Sequence, residues 1–177
     1  MSKYLYKPCD IALYFSFSNF TISDEKKIRD AIWEDRFTIL DPLYRNDKYR
    51  YIKEISKLIH QYEEESFYSE MHDINKVLEE IGSIYIITEH NNEDDMVEAF
   101  FRYIKLRLTY TENVNYVRFK LRTLLREFGY KKRTDKLVDN IKKSLKALKL
   151  VTYLREYQKC DISEIKLDDT IVIRLNE

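Results

Sequence analysis

The sequence predicts an α+β protein, mainly helical with a small amount of β-structure, built from two similar halves. Apolar residues recur at helical spacing through most of the 177 residues. Short β-branched and aromatic runs follow several of those helices. Only two glycines and two prolines interrupt the chain. At 44% hydrophobic and 35% charged, there is enough apolar surface for a core.

The elements run in order as follows. Ser23-Asp24-Glu25 opens a helix whose stripe is Ile28, Ala31 and Ile32. Phe37-Thr38-Ile39-Leu40 has strand composition. A helix over 47–65 carries Ile55, Leu58, Ile59 and Tyr62. Another, over 67–81, carries Ile74, Leu78 and Ile81, and the strand Ile84 to Ile87 follows. In the second half, Val97, Phe100 and Phe101 mark a helix and Leu106 to Thr109 a strand. Val117, Leu121, Leu124, Leu125 and Phe128 predict a helix over 115–128, ended by Gly129. After the polar link Tyr130 to Arg133, Thr134 is a predicted N-cap, with Asp135 in the first turn. That helix buries Leu137, Val138, Ile141, Leu145 and Leu148. Leu150 to Leu154 and Thr170 to Leu175 are strands, with Asp168-Asp169 as the turn before the second.

The halves align. Ile55, Leu58, Ile59 and Tyr62 fall on Leu121, Leu124, Leu125 and Phe128 at an offset of 66. The following helix and strand align at 67, and the first helix and strand at 69. The predicted order helix, strand, helix, helix, strand thus occurs twice. In its second occurrence it resembles the winged helix-turn-helix superfamily, over about residues 94–177 and more faintly over 22–90. The resemblance implies two tandem winged-helix domains, 1–90 and 91–177. The first has a truncated wing, because Ile84 to Thr88 runs into His90-Asn91-Asn92-Glu93-Asp94-Asp95.

Charge divides the chain in the same place. Residues 1–100 hold 12 Lys+Arg and 21 Asp+Glu, a net of −9; residues 101–177 hold 19 and 10, a net of +9. Residues 102–149 hold 15 basic and 4 acidic residues, a net of +11. Such asymmetry points to an anionic partner for the basic half, duplex DNA above all. Alternatively the two halves attract each other, or the lysine faces are only solvated.

In winged-helix proteins the second helix of the pair usually enters the major groove, which here implies Thr134 to Lys149. Its outer face presents Lys136, Asn140, Lys142, Lys143, Lys146 and Lys149. Lys131, Lys132 and Arg133 precede it, near a helix N-terminus that also favours phosphate. Asn140 suits adenine, Arg133 guanine or phosphate, and the lysines phosphate. Arg155 and Lys159 would act from the wing, with Lys166 as a further candidate. The expected contact set is therefore Lys131, Lys132, Arg133, Thr134, Lys136, Asn140, Lys143, Lys146, Arg155 and Lys159. Asp135 and Asp139 oppose dense phosphate contact on that helix.

Acidic residues such as Glu63-Glu64-Glu65 and Glu70 make the first half a poor phosphate binder. Its aromatics Trp33, Tyr44, Tyr49, Tyr51 and Tyr68 point to a protein interface, either a homodimer or a partner. The alternative is that they pack between the two copies.

Other classes find little footing. Gly82 and Gly129 stand alone, whereas phosphate-cradling loops need clustered glycines. Cys9 and Cys160 form neither a disulfide framework nor a zinc pattern, and His60, His72 and His90 match no metal spacing. No cofactor, metal or catalytic site is expected. The apolar stretch Ile11 to Phe17 is broken by Ser16 and falls far short of the ~20 residues that cross a bilayer. No basic and apolar leader is recognisable, so the expected location is the cytoplasm. The expected function is DNA binding, as a transcriptional regulator or replication accessory. The alternatives are a structural interaction subunit whose winged helices bind protein, and a mobile-element effector that inhibits a host protein.

Overall fold

The computed structural model describes residues 5–18, 20–65, 93–127, 133–154 and 158–176. Those residues form an α+β protein with seven α-helices, one 3-10 turn and one three-stranded antiparallel sheet. The chain divides into two compact units, Met1–His72 and Asp73–Glu177. The expected boundary at residues 90 and 91 lies outside the described residues.

The described part of the first unit is helical. Helix α1 (Pro8–Ser16) starts with proline at a position that needs no N–H donor, and the Asp10 carboxylate accepts from the Lys7 N–H at 2.9 Å. Ile11 to Phe15 are all buried, so this apolar run is a core helix enclosed on every side. It packs against α4 (Lys48–Glu65), which turns Tyr51, Ile55 and Tyr62 inward. Helix α2 (Ile22–Glu34) is capped by Thr21, whose hydroxyl accepts from the Asp24 N–H at 3.2 Å. Its Trp33 ring lies 5.2 Å from that of Tyr51. Tyr14 and Phe15 close on Phe20 at 5.3 and 6.1 Å, edge to face.

Residues 37–40, expected as a strand, are instead mostly helix α3 (Arg36–Ile39), followed by a 3-10 turn (Pro42–Tyr44). The reason is local. The Arg36 guanidinium lies over the Trp33 and Phe37 rings, at 4.8 and 4.4 Å, and donates to the Trp33 carbonyl at 3.0 Å. This continues the turn of α2. Strand propensity needs a partner strand, and only Leu40 finds one contact, a single bridge to Tyr6.

The described part of the second unit begins with α5 (Glu93–Tyr110). It absorbs Leu106 to Thr109, expected as a strand. Leu106 and Leu108 are buried on different sides of a helix enclosed over most of its girth, which imitates strand alternation. Residues 115–128, expected as one helix, divide into β1 (Val117–Lys120) and α6 (Leu121–Glu127). Val117 and Phe119 point inward at period two, then Leu121, Leu124 and Leu125 at helical period. The four-residue step from Val117 to Leu121 concealed the change of period.

Helix α7 (Asp135–Ala147), β2 (Leu150–Tyr153) and β3 (Thr170–Leu175) lie where the sequence places them. The sheet order is β1-β3-β2, both pairs antiparallel, with Phe119 opposite Ile171 and Thr152 opposite Ile173. Helix α7 packs on α5 and β2. Just past its C-cap Leu148, Lys149 is left-handed (φ 52°), in the place where glycine is usual.

The predicted repeat does not recur as drawn. At an offset of 66, β1 falls on residues 51–54, inside α4. The predicted helix over 67–81 and the strand Ile84 to Ile87 lie outside the described residues.

The Tyr51 hydroxyl is fully buried without a hydrogen-bond partner among the described residues, and burial raises its pKa. Leaving a buried hydroxyl unpaired costs roughly 1–3 kcal/mol. Tyr51→Phe should therefore stabilise the protein by about 1 kcal/mol in urea unfolding; a destabilisation would show that the hydroxyl has a partner.

Candidate nucleic-acid interface

The basic stretch becomes a surface through α6, α7 and the connection 154–169 between β2 and β3. Thr134 caps α7: its backbone is extended (φ −104°, ψ 154°) and its hydroxyl accepts from the Leu137 N–H at 3.3 Å. Leu137, Val138, Ile141, Ser144 and Leu145 are buried, which turns the opposite face outward. That face exposes Lys136, Lys143 and Lys146, with Asp135 and Asp139 beside them; Asn140 is half-buried.

The connection is held in three places. First, it runs back along β2: Thr152 bonds Cys160 through its carbonyl and hydroxyl, at 3.1 and 2.8 Å, and Leu154 donates to the Gln158 carbonyl at 2.8 Å. Lys159 is exposed in this segment, opposite Tyr153. Second, buried Ile162 and Ile165 anchor the middle. The Arg133 guanidinium donates to their carbonyls, at 3.3 and 2.6 Å. Third, the Asp168 carboxylate takes two parallel bonds from Arg122, at 2.7 and 2.8 Å. That fork holds Asp168 below the usual carboxylate range and raises Arg122.

A fourth contact lies nearest α7. The Lys142 ammonium is 2.7 Å from Asp161 and donates to the Ser163 hydroxyl at 3.0 Å. Ser163 in turn donates to Asp161 through both its N–H and its hydroxyl. Lys142 first, then Ser163, hold the Asp161 carboxyl down to about 2. Lys142, Lys146, Lys159 and Asp161 line one open depression of about 440 Å³ with an apolar floor that includes Leu145 and Ile162.

Helix α7 therefore brings Thr134, Lys136, Asn140, Lys143 and Lys146 onto one element, with Lys159 on the adjacent segment. Thr134 is engaged as a cap and Arg133 with backbone carbonyls. Lys131, Lys132 and Arg155 lie outside the described residues. Sequence reasoning took Asp168-Asp169 only as a turn and missed the acids of the connection as partners for Arg122 and Lys142. Residues 150–177 hold 4 basic and 6 acidic residues, a net of −2. The spacing Asp161-x-Ser163, which suits a side-chain-bonded turn, was the available signal.

In the first unit, Trp33 and Tyr51 are buried core residues whose rings pack tilted against each other, so they offer little contact surface. Tyr44 is half-buried, with Arg50 over its ring at 5.4 Å. Tyr49 is 76% exposed, and Leu43, not singled out from sequence, is 69% exposed. Tyr68 lies outside the described residues. Among the described residues no group of three His, Cys, Asp or Glu could hold a metal, and no helix is long and apolar enough to cross a membrane. Burial raises the Cys160 thiol, which disfavours a reactive thiolate.

No protein-family model, curated protein or solved structure matches this chain.

Loss of the Thr134 hydroxyl in Thr134→Ala should cost about 1 kcal/mol of stability, measured by urea unfolding of the whole chain; an unchanged midpoint would remove its capping role. The Asp161 pair has a definite pH sign. Its depressed carboxyl favours the folded state in full above the ordinary value near ~3.9, and that contribution fades as pH falls toward about 2. Lys142→Met should move the Asp161 titration upward in a carboxyl carbon NMR experiment; an unmoved titration would exclude Lys142 as the main cause.

Proposed function

We propose that residues 93–177 are a winged helix-turn-helix domain that binds duplex DNA, with α7 directed to the major groove and the β2–β3 connection as the wing. The observation that carries this reading is topological: helix, strand, helix, helix, strand, strand, with sheet order β1-β3-β2. The second helix of the pair is also the one with lysines on its outer face. Lys143 and Lys146 are exposed on α7, and Lys159 on the connection. Lysines of this kind hold phosphates and set position more than sequence. Asn140 is the candidate for a base contact.

In this proposal the protein is a non-enzymatic regulator or replication accessory of the cytoplasm and acts as a homodimer. The tandem reading is narrowed. The first unit serves as the dimerisation or partner-binding half, and its described helices give no support to a second wing. A second reading, a structural interaction subunit, draws on the exposed Leu43 and Tyr49 of that unit. It also draws on the engagement of Arg122, Arg133 and Lys142 within the protein.

Fluorescence anisotropy with a random duplex separates the two. A phosphate binder loses affinity with salt at a slope of roughly 0.9 in log K per neutralised phosphate. The expected result is binding at low salt and a slope reduced by about 2 units in Lys143→Gln/Lys146→Gln with unchanged unfolding. No binding at low salt would overturn the DNA reading in favour of the interaction subunit.

A further inference from the structure

We propose that Asp161 is an internal counter-ion that withholds Lys142 from nucleic-acid phosphate, and so limits how strongly this face binds DNA of any sequence. The inference rests on the DNA reading of α7 and adds a regulating residue to it.

The geometry supplies the reasons. Lys142 lies on α7 directly before the exposed Lys143 and four residues, about one turn, before the exposed Lys146, and it lines the same depression as Lys146 and Lys159. A phosphate approaching those two lysines meets a third ammonium already 2.7 Å from a carboxylate. That carboxylate is held on a short turn. The Ser163 N–H reaches it at 2.8 Å, and the Ser163 hydroxyl bonds it and also accepts from Lys142. It therefore acts as an anion pre-positioned where a ligand phosphate would otherwise come.

The pair does not hold the connection in place. Both side chains are near 40% exposed, and a solvent-screened pair of this kind contributes little to stability. Burial of Ile162 and Ile165, at 3% and 4% exposure, contributes more than the ion pair and anchors the segment. Loss of the carboxylate charge should thus leave the segment seated. In Asp161→Asn the side-chain oxygen can still accept from Ser163.

A four-protein cycle tests this: the parent, Asp161→Asn, Lys142→Met, and the two changes combined. Each full-length protein is titrated against a random duplex at about 50 to 200 mM salt. Asp161→Asn should steepen the salt slope by roughly 0.9, one phosphate. Its affinity advantage over the parent should then fall by roughly 3.5-fold across that range. Lys142→Met alone should leave the slope unchanged, and the combined protein should return to the parent value. A slope unchanged by Asp161→Asn overturns the inference while the DNA reading stands. So does a lower slope in Lys142→Met, because Lys142 would then already contact DNA. A steeper slope that persists in the combined protein overturns it too, because Asp161 would then act by repelling phosphate directly. Failure of the parent to bind removes the DNA reading and this inference together.

Discussion

Strand β3 is the constraint on which the second unit depends. It is last in sequence yet central in the sheet, bonded to β1 on one side and to β2 on the other. Ile171 and Ile173 are essentially without exposure. Because β1 leads directly into α6 and β2 follows α7, pairing both with β3 closes the helix pair into a loop of fixed ends. The outer face of α7 is then set by where its apolar face must go, onto α5 and β2. A change at β3 would disturb all three parts at once, whereas a change on the outer face of α7 touches only the surface.

The same closure determines the electrostatics. The chain must travel from the end of β2 to the start of β3, and the described part of that path meets α6 at Arg122 and α7 at Lys142. It arrives carrying Asp161 and Asp168, with the Ile162 and Ile165 carbonyls exposed to a guanidinium. Arg122, Arg133 and Lys142 all finish on this one connection. Apolar anchoring dominates its stability, and the ion pairs orient it. What remains outward is a smaller and better-defined set of lysines than the basic stretch suggests.

Legibility differed by element for physical reasons. Helix α7, with its cap at Thr134, and the strands β2 and β3 were legible because each has a single period and a clear end signal. The strand β1 was hidden because a step of four from Val117 to Leu121 satisfies a helix as well as a strand followed by a helix. Residues 37–40 looked like a strand because propensity ignores whether a partner exists; the local Arg36 stack on Trp33 and Phe37 decided for helix. On the candidate site, the lysine face of α7 was legible from spacing alone. The roles of Arg133 and Lys142 were not, because their partners lie 29 and 19 residues further along the chain.

The sequence by itself determined the α+β class, the run of α7, β2 and β3, and which face of α7 looks outward. These follow from side-chain period and local capping, which act over a few residues. It also determined that opposite charges concentrate in the two halves. Only the tertiary structure decided which aromatics of the first unit are core, which basic groups are engaged, and that β3 sits in the centre of the sheet. Those outcomes depend on contacts between distant segments, and the free energy of such a contact is set by burial and partner geometry that no local pattern contains.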